Sequence, residues 1–156
     1  MHVKIYSRQA IEPLIHTGFP DGTAVISFYD PPGSAHVNSY NPVEYPINPD
    51  HLFQVAVYDI DLSVLPQFGL TYDTYFPEAD SLAEFIYAAK QDNLDIICQC
   101  EYGESRSSGC AAAILEHFYN NGISVFADYR YYPNQVIYHK VYDALQNLRN
   151  LKIPTK

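Results

Sequence analysis

Ile96-Ile97-Cys98-Gln99-Cys100-Glu101-Tyr102-Gly103-Glu104-Ser105-Arg106-Ser107-Ser108-Gly109 is the stretch on which the reading of this 156-residue chain turns. Residues 94–99 (LDIICQ) have the apolar run of a buried strand. Residues 106–120 read as a helix with Ala111, Ile114, Leu115 and Phe118 turned inward. Between them lie Cys100, five residues that include Gly103 and Ser105, and then Arg106. A tight strand–loop–helix turn points successive backbone N–H groups into one concavity, at the positive end of a helix dipole. Such a nest, residues 101–106, suits a tetrahedral oxyanion. Arg106 adds a planar fork that grips two oxygens at once. A cation opening a helix opposes the dipole unless an anion joins it, so the placement of Arg106 itself argues for a bound oxyanion. The same field favours the thiolate of Cys100, and Ser107 follows with a hydroxyl able to donate to that sulfur.

Working outward, residues 2–6 (HVKIY) alternate as a short strand. Ser7 then offers an N-cap to a helix carrying Ala10, Ile11, Leu14 and Ile15 and ending near Gly18. Pro13 inside that stripe is expected to kink or shorten it. Residues 23–29 (TAVISFY) read as a buried strand. The segment 30–50 holds five of the eleven prolines and reads as a long surface loop. Residues 52–58 (LFQVAVY) form another strand, ending in Asp59. A helix is expected over about 75–91, with Leu82, Ala83, Ile86 and Ala89 on one face and Pro77 in its first turn. A last helix over about 134–150 carries Ile137, Val141, Leu145 and Leu148. Strands alternating with helices imply a single α/β domain over 1–156, with a mostly parallel central sheet of about four to five strands flanked by helices.

Composition bounds the function. The 9 basic against 18 acidic residues leave a net charge of −9. Duplex nucleic acid needs clustered Lys and Arg, and anionic membranes repel such a surface, so neither is an expected partner. No run approaches the ~20 apolar residues of a membrane span. Three cysteines, odd in number and close in sequence, do not make a secreted disulfide framework. A cytoplasmic protein with reduced thiols is the expectation.

Cys100-Glu101-Tyr102-Gly103-Glu104-Ser105-Arg106-Ser107 resembles the Cys-x-x-Gly-x-Ser-Arg-Ser loop of the cysteine-dependent protein tyrosine phosphatases, the small dual-specificity type in particular. Three further features fit: the loop lies two-thirds along the chain, a strand ending in Asp precedes it (Val57-Tyr58-Asp59), and Tyr132-Pro133-Asn134 stands before the last helix. The resemblance spans roughly residues 23–150. It implies a phosphomonoester hydrolase with Cys100 as nucleophile, Arg106 and residues 101–106 binding phosphate, Ser107 assisting the sulfur, and Asp59 as general acid. No cofactor or metal is implied, and the partner is a phosphorylated substrate, in first place a phosphoprotein. Phosphotyrosine, phosphoserine or phosphothreonine, lipid and RNA phosphates all remain open as substrates, as does the oligomeric state.

The chain departs from the pattern at Gln99, where the family usually has His, and Glu101 and Glu104 place two carboxylates at the mouth. Asp61 is an alternative acid, and Asp73 is expected to cap the following helix. Two other readings accompany the first: a catalytically weak phosphate-binding module, and a thiol-dependent arsenate reductase with Cys98 or Cys110 as resolving thiol. Otherwise Cys98 and Cys110 are core residues. The six histidines (His2, His16, His36, His51, His117, His139) lack metal-ligand spacing and read as surface or capping groups. Fifteen tyrosines stand beside no tryptophan. Most are expected to be half-buried packing residues, with one or two lining a pocket for an aromatic phosphoester.

Overall fold

Continuous apolar runs such as TAVISFY suit strands covered on both faces, which is how parallel sheets occur. The computed structural model describes residues 1–33 and 41–152. Four strands, β1 (Val3–Tyr6), β2 (Thr23–Tyr29), β3 (Leu52–Ala56) and β4 (Asp95–Gln99), form one sheet in the order β1-β4-β2-β3. All three pairings are parallel, with Ile5 opposite Cys98 and Ile26 opposite both Cys98 and Phe53.

The two-residue period of the strands divides the interior. Ala24, Ile26, Phe28, Ile96 and Cys98 face a large core shared with α2 (Ala79–Gln91), α3 (Arg106–Tyr119) and α5 (Gln135–Lys152). Val25 and Ile97 face the other way, onto Ile11 of α1 (Arg8–Thr17) and onto Val43. Ile86, Ile114 and Ile137 are fully buried in the larger core. Cutting any of them to alanine costs about 2–5 kcal/mol.

Several expectations are corrected in detail. Pro13 does not shorten α1, which runs from Arg8 to Thr17 under a Ser7 cap; the proline removes a single N–H, on an exposed side. The strand expected over 52–58 stops at Ala56. The helix expected from 75 begins at Ala79, because Phe76 adopts a left-handed φ of 53° that no helix accommodates. Pro77 therefore precedes α2, and its N-cap is Glu78, not Asp73. Three short elements were not foreseen, 3-10 turns at Pro49–His51 and Leu62–Phe68 and α4 at Ile123–Phe126. The first half of α3 is buried on every side, where an amphipathic helix was expected. The proline-rich loop is described only outside residues 34–40, so His36 lies outside the described residues.

Candidate active site

The strands all end on one edge, and in parallel sheets the crevice beyond the carboxyl ends is where ligands bind. β4 leads into Cys100, β2 into Asp30, and β3 through Val57 to Asp59. The loop 100–105 is held by its carbonyls. Glu101 O accepts from Arg8 N at 3.0 Å, Glu104 O from Tyr132 N at 2.8 Å, and Ser105 O from Gly109 N at 2.9 Å and Asn134 N at 3.0 Å. With the carbonyls turned to the scaffold, the backbone N–H groups of 101–105 make no backbone hydrogen bond among the described residues. A run of N–H groups without backbone partners is what a nest requires. Two glycines let it close. Gly103 has φ 68°, and a Cβ there would stand 2.6 Å from Ser7 N; one on Gly109 would stand 2.6 Å from Asn134 O.

Cys100 is almost fully buried, and its Sγ lies 3.0 Å from Ser107 Oγ. Arg106 is also buried. Its Nη1 donates to Asp30 Oδ1 at 2.7 Å and to Val57 O at 2.9 Å, while its buried Nε has no partner among the described residues. One edge of the guanidinium is thus anchored, and the Nε side remains to take an anion. Asp30 was missed by the sequence reading. The available signal was its position, a carboxylate directly after a buried strand, like Asp59.

Gln99 points to the opposite face of β4 from Cys100. Its Oε1 accepts from Ser27 Oγ at 2.5 Å and from Tyr45 Oη at 2.6 Å, and its Nε2 donates to Cys100 O at 2.9 Å. Burial pushes the Tyr45 phenol up, so it stays a donor.

Asp59 sits at the mouth. Its Oδ1 accepts from Ser105 Oγ at 2.7 Å and from Asn134 Nδ2 at 2.9 Å. Asn134 also caps α5, its Oδ1 accepting from Ile137 N at 2.9 Å. Its Pro-Asn setting was visible in the sequence, but its hold on Asp59 was not. Asp61 is exposed at the start of the 3-10 turn and makes no side-chain cap. The Tyr102 side chain is exposed. Of the two glutamates placed at the mouth, Glu104 is exposed and has no side-chain partner among the described residues, whereas Glu101 Oε2 is bound by Arg8 Nε at 2.7 Å, a partner 93 positions away.

Cys98 and Cys110 are fully buried, and the thiol of Cys98 is pushed up by its hydrogen bond with Cys110 and by burial. His117, expected at the surface, is instead buried against Tyr87, whose hydroxyl lies 2.5 Å from its Nε2. Among the described residues no group of three or more His, Cys, Asp or Glu is arranged to hold a metal ion, and no helix is long and apolar enough to cross a membrane.

A four-stranded parallel sheet with this loop at its carboxyl edge is the fold of the dual-specificity and tyrosine phosphatases. No family model and no curated protein matches the chain. Among solved structures, human DUSP28 covers 96% of this chain and 94% of its own at 12% identity, with a TM-score of 0.55. The phosphatase PTP-2 of Cydia pomonella matches at 0.56 with 11% identity, over 92% of this chain and 85% of its own. The human tyrosine phosphatase-like serine/threonine/tyrosine-interacting protein matches at 0.53 with 14% identity, over 95% and 87%.

Proposed function

We propose that the chain is a phosphatase that hydrolyses phosphomonoesters of phosphoproteins through a cysteinyl-phosphate intermediate. The observation that carries this reading is the buried pairing of Cys100 Sγ with Ser107 Oγ at the start of a loop whose N–H groups have no backbone partner among the described residues, beside Arg106, whose Nε has none there either. In the first step the Cys100 thiolate forms the S–P bond as the P–O bond to the leaving alcohol breaks. Asp59 gives its proton to that oxygen. In the second step water attacks phosphorus, the S–P bond breaks, and Asp59 takes the water proton. The loop N–H groups and Arg106 hold the charge on the equatorial oxygens throughout, which is electrostatic stabilisation by groups already in place. Ser107 stabilises the departing thiolate. Cys98 and Cys110, turned to each other in the core, lend no support to a resolving-thiol relay. The three free thiols suit a cytoplasmic setting.

Hydrolysis of a generic aryl phosphate tests the reading. Cys100→Ser is expected to lower kcat by about 10³-fold or more, the scale on which nucleophiles act. Asp59→Asn is expected to flatten the limb of the pH–rate profile that reports the acid, whereas Asp61→Asn keeps it. Wild-type turnover no greater than that of Cys100→Ser would reduce the site to phosphate binding. An unaltered profile in Asp59→Asn would remove Asp59 from its role.

A further inference from the structure

Beside the phosphate loop runs a groove of about 740 Å³ whose walls include Asp61, Tyr72, Phe126, Tyr131, Tyr132 and His139. It adjoins the site through the backbone. Tyr132 N bonds the Glu104 carbonyl of the loop. Pro133, also in its wall, precedes the Asn134 that holds Asp59, and Asp61 lies two residues beyond Asp59. The groove thus borders the loop proposed to take the phosphorylated residue.

The groove is aromatic and acidic together, a combination that receives cations: ring faces attract them, and a carboxylate completes the pairing. The protein itself uses these walls in that way. Lys140 Nζ stands 4.8 Å above the Tyr72 ring, and the Arg130 guanidinium 5.2 Å above Tyr131. Those two cations are already bound, Lys140 to the Tyr72 carbonyl and Arg130 to Asp128. Asp61 and Tyr132 are not: both are exposed, Tyr132 at 72%, and neither side chain has a hydrogen-bond, ion-pair or ring partner among the described residues. On the loop side, Glu104 adds a second exposed carboxylate.

We infer that this groove is a specificity site for a phosphopeptide carrying a lysine or arginine within a few positions of its phosphorylated residue, with Asp61 and Tyr132 taking the cationic side chain. The inference rests on the phosphatase reading for its substrate, and it favours a peptide because an acidic rim repels lipid headgroups and polynucleotides.

The test compares phosphotyrosine peptides with one arginine placed in turn on either side of the phosphoresidue against the alanine-flanked parent. Dissociation constants come from fluorescence anisotropy with Cys100→Ser, and kcat/KM from the unaltered enzyme, each ratio taken against the same protein's rate on an aryl phosphate too small to reach the groove. At least one arginine position is expected to bind about five- to tenfold tighter than the parent, the scale of one cation–π contact with an ion pair. That preference, taken as the ratio to the same protein's aryl phosphate rate, is expected to fall below about twofold in Tyr132→Ala and in Asp61→Lys. Equal affinity for all peptides, or a preference untouched by both substitutions, overturns the groove assignment. Should the arginine preference persist in binding while no substrate is turned over, the hydrolase reading falls and the groove stands.

Discussion

Gln99 is committed behind the strand that carries Cys100, with two hydroxyls on its oxygen and the Cys100 carbonyl on its nitrogen. An imidazole offers one donor and one acceptor; the amide offers an oxygen with two lone pairs, and here both are used. Gln99→Leu would keep the volume but leave Ser27, Tyr45 and the carbonyl unpaired in a dry layer. It is expected to cost about 2–4 kcal/mol, read as a lower urea midpoint with an unchanged slope. A midpoint equal to that of the unaltered protein would show that the network contributes nothing. At this scale the sequence spoke unevenly. The placement of Cys100, Arg106 and Ser107 was legible because the strand–loop–helix turn in which they sit fixes it. Asp30, Arg8 and Asn134 were not, since each acts on a residue 75 to 93 positions distant, and only the folded sheet brings those positions together.

Among the elements, the strands and the long helices followed from their periodicity, which packing then reinforced. The elements that escaped are those without a period. The 3-10 turn at Leu62–Phe68 buries only Leu65, and α4 at Ile123–Phe126 only Val125. The start of α2 was misplaced because Tyr75 and Phe76 are buried in an irregular turn and mimic the apolar stripe of a helix. The junction of β4 and α3 depends on close approach. Gly103 both adopts a positive φ and leaves no room for a methyl group against Ser7. Gly103→Ala should lift the loop from the β1–α1 corner, lowering kcat/KM for an aryl phosphate at least about tenfold and stability by about 1–3 kcal/mol. Full activity in that variant would mean the loop does not need its seat on Ser7.

For the molecule as a whole, acidity shapes both partners and pH response. The net charge of −9 weighs against polyanions, which face the summed charge, whereas the single phosphate proposed above would face chiefly the loop N–H groups, a helix end and one arginine. Stability against pH turns on His117. Burial lowers its pKa from the ordinary value, so the fold prefers the neutral ring. Above about pH 6.5 both folded and unfolded states hold that ring neutral, and its share of the stability is fully present. As pH falls below that value the unfolded chain takes up the proton first, and stability declines toward the lower, folded value. The melting temperature is therefore expected to drop between pH 7 and pH 5, and to drop less in His117→Gln. Parallel curves for the two proteins would exclude His117 as the source.

β1 has one neighbour in the sheet, and yet three backbone ties to the loop start there or just after: Tyr6 O to Cys100 N, Arg8 N to Glu101 O, and Gly103 against Ser7. Edge strands open locally at a lower free energy than the centre of a sheet. Each opening of β1 would take the brace from the loop while the core of α2, α3 and α5 stays intact. On the proposed function, heat should then abolish aryl phosphate hydrolysis some degrees before it melts the protein, and a bound oxyanion should slow amide exchange in the first strand.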